Sequence, residues 1–305
     1  MRVIHARKRI QEIDWGVKNK FNLLVWILSV LKWKELGNEV VLYADNKTLE
    51  DLKEFGIDTL YDEVNTDLLE NSNLCDNIDF YYFWAMPKII SLYHETKELG
   101  NNVLVSDQDV VPTSDVSRLY NLANVLVWSN KEFYENEHLY PKLDCLSLPN
   151  NYCLPTWFSG KTKPLNTGVI HFRKKEDAVE YCNEVFKYVI NNKNQKKNSK
   201  AVAMCNAEQR MIGEFLRNKR YTYATLQPAN EGLFNRNAFH THGYKNIVNN
   251  DNGVQWHCSL LKMIKDCDKK FYVKLINHDF FKEEKEYINK NGLVNSIKQL
   301  QSYEK

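Results

Sequence analysis

The first hundred residues alternate short β-branched runs with longer stretches that carry apolar residues at helical spacing. Val3 to Ala6 reads as a strand, about Asn19 to Leu36 as a helix stopped by Gly37, and Glu39-Val40-Val41-Leu42-Tyr43 as a second strand. A short helix of about Leu49 to Phe55 stops at Gly56, and a longer one, Trp84 to Leu99, stops at Gly100, with Pro87 near its start where a missing N–H does least harm. Asn102-Val103-Leu104-Val105 then reads as a buried central strand. This is the pace of βαβ units and predicts an α/β fold, a mostly parallel sheet flanked by helices.

The pattern resumes with a strand at Asn124 to Trp128 and breaks over 129–163, an irregular stretch rich in aromatic residues and prolines. Structured loops of that length serve as lids or binding loops in compact domains. Regularity returns with a strand at Leu165 to Phe172, helices near Glu176 to Ile190 and Ala201 to Leu216, and a strand at Tyr221 to Thr225. The last fifty residues read as amphipathic helices. The expected organisation is one large domain over 1–250, with halves 1–128 and 129–250, followed by a helical extension over 251–305.

Composition narrows the class. The chain has 305 residues, of which 43% are hydrophobic, enough to close a core. Its 41 Lys+Arg nearly cancel 39 Asp+Glu, so no global field exists to hold a nucleic acid. The seven cysteines are scattered with no C-x-x-C pair, which points to reduced thiols and a cytoplasmic setting. The run Phe21 to Leu31 is too short to span a bilayer and reads as a buried helix. Membrane contact is expected to be peripheral at most, through the basic loop Lys193 to Lys200.

The candidate chemistry begins at Asp107-Gln108-Asp109, directly after the central strand. In this extended segment residues i and i+2 point one way, so both carboxylates face one pocket while Gln108 faces away. Two such acids repel unless a divalent ion lies between them. A D-x-D arises about once by chance in a chain this long, and Asp266-Cys267-Asp268, beside lysines after a helix, reads as that chance copy. Further on, His240-Thr241-His242-Gly243-Tyr244-Lys245 offers imidazoles to a borderline ion and an ammonium to a phosphate. Asn166-Thr167-Gly168 puts polar groups at the start of a strand, for a sugar hydroxyl or an Asx turn. Glu208-Gln209 sits on an otherwise apolar helix, either at a solvated core edge or in the site. Gly160-Lys161-Thr162 lacks the upstream glycine and strand of a P-loop, and no G-x-G-x-x-G occurs, so nucleotide binding must use metal and side chains.

In order along the chain, these four stations resemble the signatures of GT-A nucleotide-sugar glycosyltransferases. They are most similar to the family 8-like retaining enzymes and related bacterial polysaccharide glycosyltransferases. Trp84-Ala85-Met86-Pro87-Lys88 also looks like the W-x-x-x-K segment of such proteins. The resemblance covers roughly 1–250 and implies a metal-dependent transfer of a hexose from a nucleotide sugar, with a UDP-sugar expected, to a glycan or lipid-linked acceptor. It implies that Asp107, Asp109 and His240 hold Mn²⁺ or Mg²⁺, that Lys245 contacts the pyrophosphate, and that Lys88, Asp107 and Asn166 bind the donor. Glu208 and Gln209, which line the sugar with Asn166, are then the catalytic candidates, Gln209 near the anomeric carbon if the enzyme retains and Glu208 as the base if it inverts. The lysine comes one residue early for the family's H-x-x-G-x-x-K, so His240 and His242 both stay open as the ligand, and Glu208 stands where family 8 has Asp. A sugar-phosphate nucleotidyltransferase, using Ala6-Arg7-Lys8-Arg9, and a non-catalytic carbohydrate-binding protein of the same fold are the alternatives.

Overall fold

The structure is a computed structural model that describes residues 1–10, 19–130, 137–148, 152–192, 199–227, 238–240 and 253–293. Strands β1 (Arg2–Arg7), β2 (Glu39–Ala44), β3 (Glu63–Asn65), β4 (Val103–Ser106), β6 (Val125–Ser129), β7 (Asn166–Phe172) and β8 (Tyr223–Gln227) form one sheet, ordered β3-β2-β1-β4-β7-β6-β8. Only β7 runs against its neighbours β4 and β6, and the other pairs are parallel. A separate two-stranded ladder joins β5 (Val110–Pro112) to β9 (Ala238–His240). The mostly parallel sheet matches the expectation and is consistent with the GT-A fold.

Alternation along the strands splits the core into two layers. Val3, Val40, Leu42 and Leu104 face one side, whereas Ile4, Val41, Tyr43, Val103 and Val105 face the other. Both faces are buried, which is why β2 and β4 read as continuous apolar runs rather than alternating ones.

Helix α1 (Lys20–Glu35) covers the first face. Asn19 caps it by accepting from the Asn22 amide at 3.1 Å. Its apolar residues run all the way round, with Leu23, Leu24, Val25, Ile27, Leu28 and Val30 fully buried, so it needs a second cover opposite the sheet. Helix α8 (Gly253–Cys267) supplies that cover through Trp256, Leu260, Leu261 and Ile264. The C-terminal helices α8, α9 (Lys269–Ile276) and α10 (Lys282–Asn291) thus share the core of the sheet. Among the described residues, no helix is long and apolar enough to cross a membrane.

The other face is covered by α4 (Met86–Leu99), α5 (Lys175–Asn191) and one long helical stretch. Two short helices lie earlier in the chain, α2 (Asn46–Phe55), capped by Asp45, and α3 (Asp67–Asn71). The stretch expected as a single helix from Ala201 to Leu216 has three parts, α6 (Lys200–Cys205), a π-helical turn (Asn206–Arg210) and α7 (Met211–Lys219). The π turn holds Glu208 and Gln209, and such insertions are frequent at functional sites. The Asp266-Cys267-Asp268 copy falls at a helix junction, with Asp266 paired to Lys262 and Asp268 capping α9, as expected of a helix end.

Candidate functional site

The carboxyl end of β4 is where an open parallel sheet presents ligands. Here the chain turns instead of continuing extended. The Val110 amide donates back to the Asp107 carbonyl at 3.1 Å, and the Asp107 amide donates to the Gly168 carbonyl at 2.7 Å. The extended geometry expected for Asp107-Gln108-Asp109 is therefore corrected, because in a turn period two no longer sets the direction of the side chains. Gln108 is tied separately, its Nε2 donating to the Ala6 carbonyl at 2.7 Å. Asp107 turns to Lys88, and Asp109 lies near enough to His5 to oppose, in part, the lowering of its pKa by burial.

Lys88 is the centre of the cluster. One turn into α4, its ammonium lies 3.1 Å from Asp107 Oδ1, donates to the Thr167 carbonyl at 3.0 Å and pairs with Glu208. The Lys88 and Glu208 side chains are 8% and 4% exposed, against 31% for Asp107. Burial alone would lower the lysine pKa, but the two carboxylates outweigh it and hold the ammonium above the ordinary lysine range. Burial pushes the Glu208 carboxyl up, with Asp107 adding to the rise and Lys88 opposing it. Glu208 is thus no solvated core-edge residue. Tyr181 on α5 fixes its backbone, donating to the Glu208 carbonyl at 3.2 Å.

Gln209, the next residue, is half-buried and accepts from the Tyr140 hydroxyl. Asn166 makes the Asx turn, its Oδ1 accepting from the Gly168 amide at 2.9 Å, and so shapes the bend that brings Thr167 and Gly168 to Asp107 and Lys88. The π turn also organises the irregular aromatic segment. Arg210 donates to the carbonyls of Pro141 and Gly160, and Glu214, fully buried, accepts from the Ser159 and Thr162 amides at 3.1 and 3.2 Å. Of the aromatic residues in that segment, Tyr140 and Phe158 are buried, whereas Tyr152 and Trp157 line an open cleft of about 340 Å³ beside Glu184 and Lys187.

His240 belongs to β9, whose ladder sets it opposite Val110, the residue after Asp109. His242 and Lys245 lie outside the described residues. Among the described residues no group of three His, Cys, Asp or Glu side chains has metal-ligand geometry.

The sequence reading did not single out His5, Ser29, Arg210 or Glu214. Their signal was polarity in apolar settings: His5 within β1, Ser29 within an otherwise apolar helix, and Glu214 on the buried face of α7. His5 is fully buried, and burial pushes its pKa down to about 3 despite the nearby Asp109.

A Rossmann-like sheet with an acidic turn at a strand's carboxyl end, bridged by a buried lysine to a second carboxylate, makes this an α/β protein with a charged cluster at the carboxyl edge of its sheet. The family model for nucleotide-diphospho-sugar transferases matches residues 34–270. The chain belongs to that family: it is a glycosyltransferase, and its donor is a nucleotide sugar. A search of curated proteins finds no match. Among solved structures, the apo form of mouse xyloside xylosyltransferase 1 is similar, with a TM-score of 0.38 and 10% identity over 74% of this chain and 84% of that one.

Proposed function

We propose that the protein is a cytoplasmic, metal-dependent glycosyltransferase that moves a hexose from a UDP-sugar to a glycan or lipid-linked hydroxyl. The observation that carries this reading is the β5–β9 ladder, which sets the His240 backbone one residue from the acidic turn that Lys88 ties to Glu208. The donor set suits a hard or borderline divalent ion. Asp107 keeps an exposed share despite Lys88, Asp109 is half-buried, and their carboxylates suit Mn²⁺ or Mg²⁺, with an imidazole favouring Mn²⁺ over Mg²⁺. Asp107, Asp109 and His240 would hold the ion, which when bound neutralises charge on the departing diphosphate. Lys245 would add a point charge to the same diphosphate.

The chain's own residues would orient the sugar. Lys88 holds Asp107 and Glu208 in one place, so donor hydroxyls meet a fixed array of acceptors. Glu208, buried against an ammonium, suits positioning better than proton abstraction, and Gln209, half-buried beside Tyr140, is the group left to face the anomeric centre. This favours retention. The nucleotidyltransferase alternative loses its basic loop, since Lys8 donates to the Leu69 carbonyl at 2.6 Å and Arg9 pairs with Asp51 at 2.9 Å.

Calorimetric titration with UDP tests the reading. Binding that requires Mn²⁺ and disappears in Asp109→Ala is expected. Metal-independent UDP binding, or unchanged binding in Asp109→Ala, refutes the site assignment.

A further inference from the structure

Four side chains outside the chemistry above form a buried hydrogen-bonded chain that ends at the acidic turn. They are Trp26 and Ser29 on α1, Tyr61, and His5 on β1, with exposures of 2%, 0%, 7% and 0%. The two ends set its direction. The Trp26 indole can only donate, and does so to the Tyr61 hydroxyl; the Val110 carbonyl can only accept, and takes the Ser29 hydroxyl proton at 2.6 Å. With that proton committed, Ser29 Oγ is left to accept from His5 Nε2 at 3.3 Å. His5 Nδ1 then carries no proton and accepts from Tyr61 at 3.0 Å. Every group finds its partner only with a neutral imidazole protonated at Nε2.

Ser29 also departs from what a serine in a helix usually does. Such a serine bonds the carbonyl four residues back, as Ser91 in α4 does with Pro87 at 2.8 Å. Ser29 instead reaches off the helix to Val110. That residue is the hub of the turn: its amide closes the turn on Asp107, it follows Asp109, and it stands opposite His240 in the β5–β9 ladder.

We propose that His5 and Ser29 are positioning residues that hold the acidic turn through the Val110 carbonyl, setting Asp109 and the β9 strand for the donor. The proposal rests on the turn being the donor site proposed above. Removing the last link takes the Ser29 donor from the buried Val110 carbonyl, a loss that a shift of the turn would relieve. Partners one step behind a ligand set change affinity about tenfold or more when lost.

The test uses the full chain and its Ser29→Ala, His5→Phe and Ser91→Ala variants. UDP affinity with Mn²⁺ is read by calorimetry, thermal midpoints by unfolding, and imidazole and amide ¹⁵N shifts from the ligand-free protein. Ser29→Ala and His5→Phe are expected to raise Kd about tenfold, and Ser91→Ala to leave it unchanged. The His5 shifts should show Nε2 protonated and Nδ1 bare, and Ser29→Ala should move the Asp109 and Val110 amides. A lower thermal midpoint with Kd within about twofold of wild type would make the chain structural only and overturn the proposal. If the wild-type protein binds no UDP with Mn²⁺, the donor-site reading fails on its own. The ligand-free spectra then decide the positioning role, and unmoved Asp109 and Val110 amides, or an Nδ1-protonated His5, overturn it.

Discussion

Replacing Lys88 with methionine removes the cation that bridges Asp107 and Glu208. Methionine keeps most of the apolar stem, so the change isolates the charge. Glu208 is 4% exposed and would keep no cationic partner among the described residues, whereas Asp107, 31% exposed, would recover solvation from water. The cost therefore falls mainly on Glu208. Removing one partner of a buried pair costs about 3–5 kcal/mol, and Glu208 can limit this by taking up a proton, so about 3 kcal/mol at pH 7 is expected. Urea unfolding of wild type, Lys88→Met, Glu208→Gln and the double variant measures it. Without Lys88 the folded pKa of Glu208 lies above its unfolded value, so the folded state binds the extra proton. The stability of Lys88→Met should then fall as pH rises from the unfolded carboxyl range through that higher folded pKa. The double variant should recover most of the loss and lack the slope. Equal stability of wild type and Lys88→Met at pH 7, or a loss that the double variant does not recover, would refute the charge argument.

Two further perturbations check other parts of the molecule. At Gly213 a methyl group would meet the Lys163 backbone carbonyl at 2.6 Å, so Gly213→Ala should destabilise by about 1–3 kcal/mol despite alanine's helix preference, read by thermal or urea unfolding. Glu284 on α10 is fully buried and joins His257 at 2.8 Å and Lys20 at 3.1 Å, so it clamps α8 and α10 to the start of α1. Burial alone would raise its pKa, but the His257 and Lys20 contacts outweigh this and hold it below the usual range. Its contribution is therefore present above the unfolded carboxyl pKa and lost as pH falls through the lower folded one. Glu284→Gln should cost about 2 kcal/mol at pH 7 and flatten that acid-side loss, measured by unfolding across pH 3–7.

Much of the scaffold was legible in the chain. β-branched runs and glycine stops located β1, β2, β4, β6, β7 and β8 and the longer helices to within a few residues, because burial on both faces of a parallel sheet leaves continuous apolar runs. The short strands β3, β5 and β9 carried no such signal. Three residues are too few for a period, and what holds β5 and β9 is each other. The π turn was equally hidden, since its residues read as an ordinary helix.

By itself the sequence determined the fold class and which residue types stand at the sheet's edge, since apolar periodicity and local turn chemistry act over a few neighbouring residues. The tertiary structure alone decided how those residues meet. Lys88 pairs with Glu208, 120 positions away, the turn at Asp107 replaces an extended strand, and a buried serine backed by His5 links helix α1 to that turn. Such contacts arise from packing between elements distant in the chain, where burial removes water as the competing partner and leaves each polar group to find another.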